Sequence, residues 1–574
     1  SLDAAESHVK ANEHYLKAAE SGHIRSQYVL GLRYYHGDWV PQSYDLAFKW
    51  LFSAAHHGDI DAQYSLGFAY YHGEGVEQSY EDALRWYRLA ADHGYAHAQY
   101  AIGWMYEYGR GVEQSDEEAV KWYRLAAEQG DSSAQCDLGR MYEEGKGVEQ
   151  SYKEAVKWYR LAADQGNARA QNNLGEMYKG GRGVKQSDEE AVKWYRLAAD
   201  QGNSRSQFNL GCAYDCGEGV EQSYKEAVKW YRLAADQGNV NAQYNLAYLF
   251  YHGEGVEQSY EEAVKWYRLA ADQGDLDAQF CLGCAYYNGK GVEQSYKDAV
   301  KWFRLVANQG DASAQYNIGL MYENGIGVEQ SYEEAVKWYR LAADLGVAYA
   351  QNNLGDMYEN GIGVEQSAEV AVEWYRLAAN QGDACAQFNL GNMFENGKGV
   401  EQSYEEAVKW YRIAANQGYA NAQCNLAWLY DSGKGVPQSD VDAFDLYVLA
   451  AEQGNVSAIN NIGQMLREGR ATNLIDSQVI DCFYKADKHG IVDATFWLGW
   501  LFDKGIGVKK SSKKGLDYYI SAADRGHSDA QFELGHLFES GEGVEQSYEE
   551  AAKWYRLAAD QGDASAQYSL GGMY

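Results

Sequence analysis

Apolar positions recur along this chain at two nested spacings. Ala155, Trp158 and Ala162 repeat at helical intervals, and so do Val156, Tyr159 and Ala163. Residues 151–165 therefore predict a helix with a wide apolar stripe. Upstream, Ala134, Leu138 and Met141 share one face and predict a second helix. The pair then returns as a unit. Trp50, Trp86, Trp122, Trp158, Trp194, Trp230, Trp266, Trp302, Trp338, Trp374 and Trp410 stand 36 residues apart, and Trp554 keeps the register. Leu446, Cys482 and Tyr518 fill the intervening places. A fixed period of this size signals a stacked array in which neighbours complete one another's core. The expected fold is all-α: one continuous solenoid over residues 1–574, of about sixteen helix–turn–helix units with the first and last incomplete.

The polar positions punctuate the helices. Ser151 to Glu154 reads S-x-x-E, a capping box. Gly166 stands where a helix ends in a left-handed residue, and a glycine occupies that place in all sixteen units. Asn167 suits the N-cap of the next helix. Gly139 falls inside a helix, where it costs about 1 kcal/mol relative to alanine. Close approach of the partner helix and its Trp is the expected compensation. Gly145, Gly147 and Val148 form the return loop, and the only two prolines, Pro41 and Pro437, follow that valine.

Together these positions spell A-Q-x-N-L-G-x-M-Y-x-x-G-x-G-V-x-Q-S-x-x-x-A-x-x-W-Y-x-x-A-A-x-Q-G, almost complete from Ala350 and Gln351 through Gly361, Gly363, Val364, Trp374 and Tyr375 to Gly382. The chain resembles the Sel1-like repeat family, relatives of the tetratricopeptide repeat, over nearly its whole length. The resemblance implies a right-handed α/α superhelix that acts as a scaffold or adaptor. Relatives serve in endoplasmic-reticulum degradation complexes and, in bacteria, in signalling and host interaction.

The units are near copies, so the positions that vary are informative. In the first helix they fall at Ser133, Asp137, Arg140 and Glu144, one helical stripe that reads as opposite the core. In helical solenoids this helix lines the concave groove, which makes the stripe the expected binding surface. The Asp137 position holds Asn173, Asn209, Asn245, Asn317, Asn353, Asn389, Asn425 and Asn461. An asparagine amide both donates and accepts, so a ladder of them suits the backbone of an extended peptide. The competing reading is a habitually solvated residue. The Arg140 position includes Leu32, Phe68, Trp104, Cys212, Tyr248, Trp428 and Trp500, with Trp497 one turn before Trp500. These aromatics are either partner anchors or buried against neighbouring turns. Tyr35, His36, Tyr71, His72, Trp104 and Tyr108 form a second cluster near the N-terminus.

Charge and chemistry narrow the partner class. The net charge of −33 repels phosphate backbones and anionic membranes, so neither nucleic acid nor membrane is an expected partner. Gly-x-Gly-Val follows a helix rather than a strand and lacks a third glycine, so it is not a phosphate loop. Cys212 with Cys216, and Cys281 with Cys284, lie two units apart, too far for one zinc site. Nine of thirteen histidines fall within residues 1–97, where solvated side chains are the expectation. No nucleophile–base pair is evident, so no enzyme activity, cofactor or metal is expected. The eight cysteines follow no repeating pattern, which favours a reducing, cytoplasmic setting. Residues 467–487 depart from the pattern, with Gly469, Arg470, Ala471 and Thr472 in the loop and Cys482-Phe483 for Trp-Tyr; Lys509, Lys510, Lys513 and Lys514 follow.

The expected function is a non-catalytic scaffold holding an extended or partly folded protein segment. The alternatives are self-assembly through uncapped solenoid ends, or service as the repeat region of a larger protein.

Overall fold

The computed structural model describes residues 2–470, 475 and 477–573, and side chains from residue 11 on. Ala471 and Thr472 of the altered loop lie outside the described residues. Those described form 32 helices and no strand, in two compact units, Ser1–Gln294 and Ser295–Tyr574. Within each unit consecutive helices pack in pairs.

The repeat 132–167 shows how the sequence builds a pair. Its first helix runs Ser132–Glu144 and its second Tyr152–Asp164. The Ser151 hydroxyl accepts from Glu154 N at 3.3 Å, half of the expected capping box. Ser151 N donates instead to the Tyr142 carbonyl at 2.9 Å, tying the second helix to the end of the first. Gly166 turns the chain at φ +89° and Asn167 Oδ1 caps Ala170 N at 3.0 Å. Ala134, Leu138 and Met141 are fully buried, as are Ala155 and Tyr159. Burying a side chain such as Leu138 stabilises by about 2 kcal/mol.

Two glycines permit the close approach. A Cβ on Gly139 would lie 2.7 Å from the Tyr159 ring, so this mid-helix glycine seats tyrosine, not the tryptophan expected from the sequence. The same ring–glycine contact recurs at Gly355 with Tyr375 and Gly391 with Tyr411. Gly147 has φ +63°, and a Cβ there would strike the Asp116 backbone at 2.2 Å, where the loop rests on the preceding unit.

A pair of glutamines stitches many of the joints. Gln165 Nε2 donates to Gln135 Oε1 at 2.7 Å, while Gln135 Nε2 donates to the Ala127 carbonyl at 3.0 Å. Gln381 with Gln351 and Gln417 with Gln387 repeat the stitch at 2.8 and 2.7 Å. A buried amide oxygen left alone is costly, so the pairing fixes the depth at which one unit sits on the next.

Candidate functional site

The variable stripe lies on the seam between successive first helices rather than opposite the core. Asp137 is buried there. It accepts from the Tyr100 hydroxyl at 2.9 Å and from Arg169 at 2.8 Å. Arg140 reaches back to Glu107 at 2.6 Å. These charges come from three successive units, and pairing offsets the cost of burying them.

The asparagines at the Asp137 position are all half-buried. Asn209 Nδ2 donates to Asn172 Oδ1 at 3.2 Å and Glu176 Oε1 at 3.1 Å. Asn389 donates to Asn352 and Asp356 at 3.1 and 3.4 Å. Asn425 donates to Asn392 and to the Tyr411 hydroxyl oxygen at 3.3 and 3.2 Å. At these three stations both amide hydrogens are spent on neighbouring side chains, which leaves only the acceptor for a partner. Asn173 Oδ1 accepts from Asn172 at 3.4 Å. The solvated reading is thereby corrected too, because a helix inside a stack has neighbours on two sides.

The aromatics separate into two groups. Tyr108 and Tyr248 are 53% and 43% exposed, and Trp104 and Trp428 are half-buried. Trp104 packs at a tilt against Tyr108 at 4.5 Å and meets Tyr71 edge-on at 5.6 Å. Trp497 and Trp500, by contrast, are only 5% and 6% exposed, so they correct the expectation of surface anchors. The Trp497 indole lies against Gly463, in the slot that a second-helix tyrosine fills elsewhere, and its Nε1 donates to Asn460 Oδ1 at 3.0 Å.

Two cavities open on the first-helix face, five units apart and lined by equivalent positions. One, of about 310 Å³, is lined by Tyr64, Phe68, Tyr71, His72, Tyr100 and Trp104, with buried Tyr87 and Met105 behind them. The other, of about 230 Å³, is lined by Tyr244, Tyr248, Tyr251 and His252, with Cys281 and Cys284 where the first has Ala101 and Trp104. Phe68 and Trp104 stood out in the sequence by their variable position. Tyr64 and Tyr100 did not, because tyrosine is common throughout the chain; their signal was proximity across a seam.

The same geometry bears on chemistry. Burial pushes the Cys281 thiol up to about 11 and raises Cys212, so both stay protonated near neutrality and are poor nucleophiles or ligands. Among the described residues no three His, Cys, Asp or Glu converge as a metal site, and no helix is long and apolar enough to cross a membrane.

Known proteins share this architecture. The Sel1 repeat model matches residues 4–23, every 36-residue unit from 24–59 to 348–383, and 386–419, 420–455, 492–527 and 528–563. Residues 456–491 fall between matches. A protective antigen of uropathogenic Escherichia coli strains, displaying an SLR fold, is 36% identical, with a TM-score of 0.70, over 77% of this chain and 96% of its own. A Sel1 repeat protein from Oxalobacter formigenes is 35% identical over 54% of this chain and 89% of its own, with a TM-score of 0.42. No curated protein matches the chain. Fifteen matched stretches spread over nearly the whole chain lead to one assignment: this chain belongs to the Sel1 repeat family.

Proposed function

We propose that the chain is a non-catalytic interaction scaffold whose first-helix face holds an extended or partly folded protein segment. The observation that carries this reading is the pair of aromatic cavities on that face, flanked by exposed Tyr108 and Tyr248. Aromatic side chains with free edges over an apolar recess are what protein interfaces concentrate at their hot spots. Sel1 repeats are a fold commonly used for protein–protein interaction, which supports the reading at the level of the family. The half-committed asparagines add acceptors along the same seam, suited to backbone N–H groups of a segment lying across the units.

Photo-crosslinking in the native source tests it. A crosslinker at Tyr108 or Tyr248 should trap a protein partner. One at Leu125 or Leu161, equally exposed on the second helices, should not. Equal yields from both faces, or trapping from the second helices alone, would overturn the assignment. Replacing Asn353, Asn389 and Asn425 together with alanine tests the acceptor row. Unchanged affinity for the trapped partner would remove the asparagines from the interface.

A further inference from the structure

The cavity of about 310 Å³ has an unusual wall for an apolar recess, since Tyr64, Phe68, Tyr71, Tyr100 and Trp104 all present rings to it. Ring faces carry negative charge density, and tryptophan carries the most. The Tyr100 hydroxyl donates to the Asp137 carboxylate at 2.9 Å, which pushes electron density back into its ring. The surrounding chain has a net charge of −33.

Equivalent rings elsewhere in the chain reveal what such faces attract. Trp428 occupies the Trp104 position nine units on. There Lys434 folds back and its Nζ sits 4.4 Å from the indole centroid. Beside the second cavity Lys290 Nζ stands 5.4 Å from its lining Tyr251 and 5.2 Å from Tyr260. At the first cavity the residue equivalent to Lys434 is Arg110, whose guanidinium lies over Tyr80 at 5.4 Å, outside the recess. Among the described residues no lysine or arginine lies over Tyr64, Phe68, Tyr71, Tyr100 or Trp104. One aromatic site is thus capped by the chain's own cation, one is partly capped, and in one, among the described residues, no lysine or arginine covers the lining rings, with His72 packed on Phe68 at 4.2 Å.

We propose that the open cavity between the helices Ile60–His72 and Ala96–Tyr108 is a cation cage for a lysine or arginine side chain of an extended partner segment. The aliphatic stem passes over Tyr108, and the charged head meets the rings of Trp104 and Tyr71, beside the packed Phe68–His72 ring pair. A neutral apolar side chain would fill the volume equally well but would forgo attraction to the rings and to the acidic chain. This deepens the scaffold reading and rests on it. A crosslinking result that moved the partner to the second helices would remove that reading, while the peptide titration below would still report on the cage.

The test is calorimetric titration of the full chain at physiological salt with acetylated, amidated Gly-Ser-X-Ser-Gly peptides, X being lysine, arginine or norleucine. Norleucine matches the lysine stem and lacks the charge. At least one charged peptide should bind about fivefold or more tighter than the norleucine peptide. Trp104→Ala should abolish that gap, Phe68→Leu should narrow it, and Trp428→Ala should leave it unchanged, with helicity checked by circular dichroism. Norleucine binding as tightly as both charged peptides to the unmodified chain would overturn the proposal, whatever the variants do. So would a gap that survives Trp104→Ala in a folded protein, since it would belong to the overall charge rather than to the cage.

Discussion

Residues 348–455 and 456–527 belong to the same compact unit but are joined by different means. In the first stretch each joint carries a pair of facing glutamines, and the first two seat a tyrosine ring over a glycine, as at Gly391 with Tyr411 and Gln417 with Gln387. In the second, Ile459 is buried where the glutamine would stand, and Thr495 meets Arg525 at 3.1 Å instead. Trp497 takes the tyrosine's place over Gly463, and the helix Ser477–Lys488 packs on Asp440–Glu452 and Val492–Lys504. One apolar cluster then runs from Cys424 to Leu537. Arg470 ties the altered loop to Asp431 and Asp440 at 2.5 and 3.1 Å. Near-identical surfaces need polar partners to set their register, because apolar contact alone permits sliding. A unit with a unique shape sets its register by volume.

That contrast is breakable, most severely at Trp497. Trp497→Ala should cost about 3–5 kcal/mol, seen as early loss of amide exchange protection over 456–527. Trp428→Ala, at a half-exposed ring, should cost less than about 1 kcal/mol. Equal losses would mean that the irregular stretch is no more volume-dependent than the regular one.

A second variant repairs a stitch. Leu345 stands where a glutamine would face Gln315; it is 59% exposed, and Gln315 Oε1 is buried with no hydrogen-bond partner among the described residues. Leu345→Gln should stabilise by about 1 kcal/mol and slow exchange over 312–347. No change would demote the glutamine pairs from register marks to passengers.

The smallest effect concerns Asp356, which accepts from Tyr375 at 2.5 Å and is raised above the usual carboxylate range by burial. A folded-state value above the unfolded one means that the charged form costs stability near neutrality and that acidification relieves the cost. Asn392, one unit on, already accepts from Tyr411 without a charge. Asp356→Asn should therefore raise Tm slightly at pH 7, and the gain should shrink as pH falls through the Asp356 range. A gain that grows on acidification would contradict the assignment.

Much of the fold was legible because it is local. Ser151, Gly166 and Asn167 cap or turn the backbone within three residues of themselves, so their types announce their roles. The site was less legible, because a helix in a stack has two buried sides and periodicity reports only the stronger. Asp137 and the asparagines therefore read as an exposed stripe, although they pair with the neighbouring unit. Trp158 and Tyr159 both belong to the inward stripe, and only packing decides which ring reaches Gly139. The glutamine pairs left a trace, two fixed polar positions thirty residues apart as at Gln135 and Gln165, but one chain's fixed polar residue looks like habit until its partner is seen.

The recurring glycine–tyrosine seat has a consequence for how such a chain changes over generations. Gly355, Gly391 and Gly535 each receive the same ring in the same way, so these junctions are a standard coupling. Unequal recombination that deletes or duplicates one whole 36-residue segment rejoins surfaces that already match. The number of units, and with it the reach between the open cage and the rest of the binding face, is free to drift without a new interface having to be invented. The irregular joint at Gly463 and Trp497 has no such freedom, because its matching surfaces are unlike those of the regular junctions.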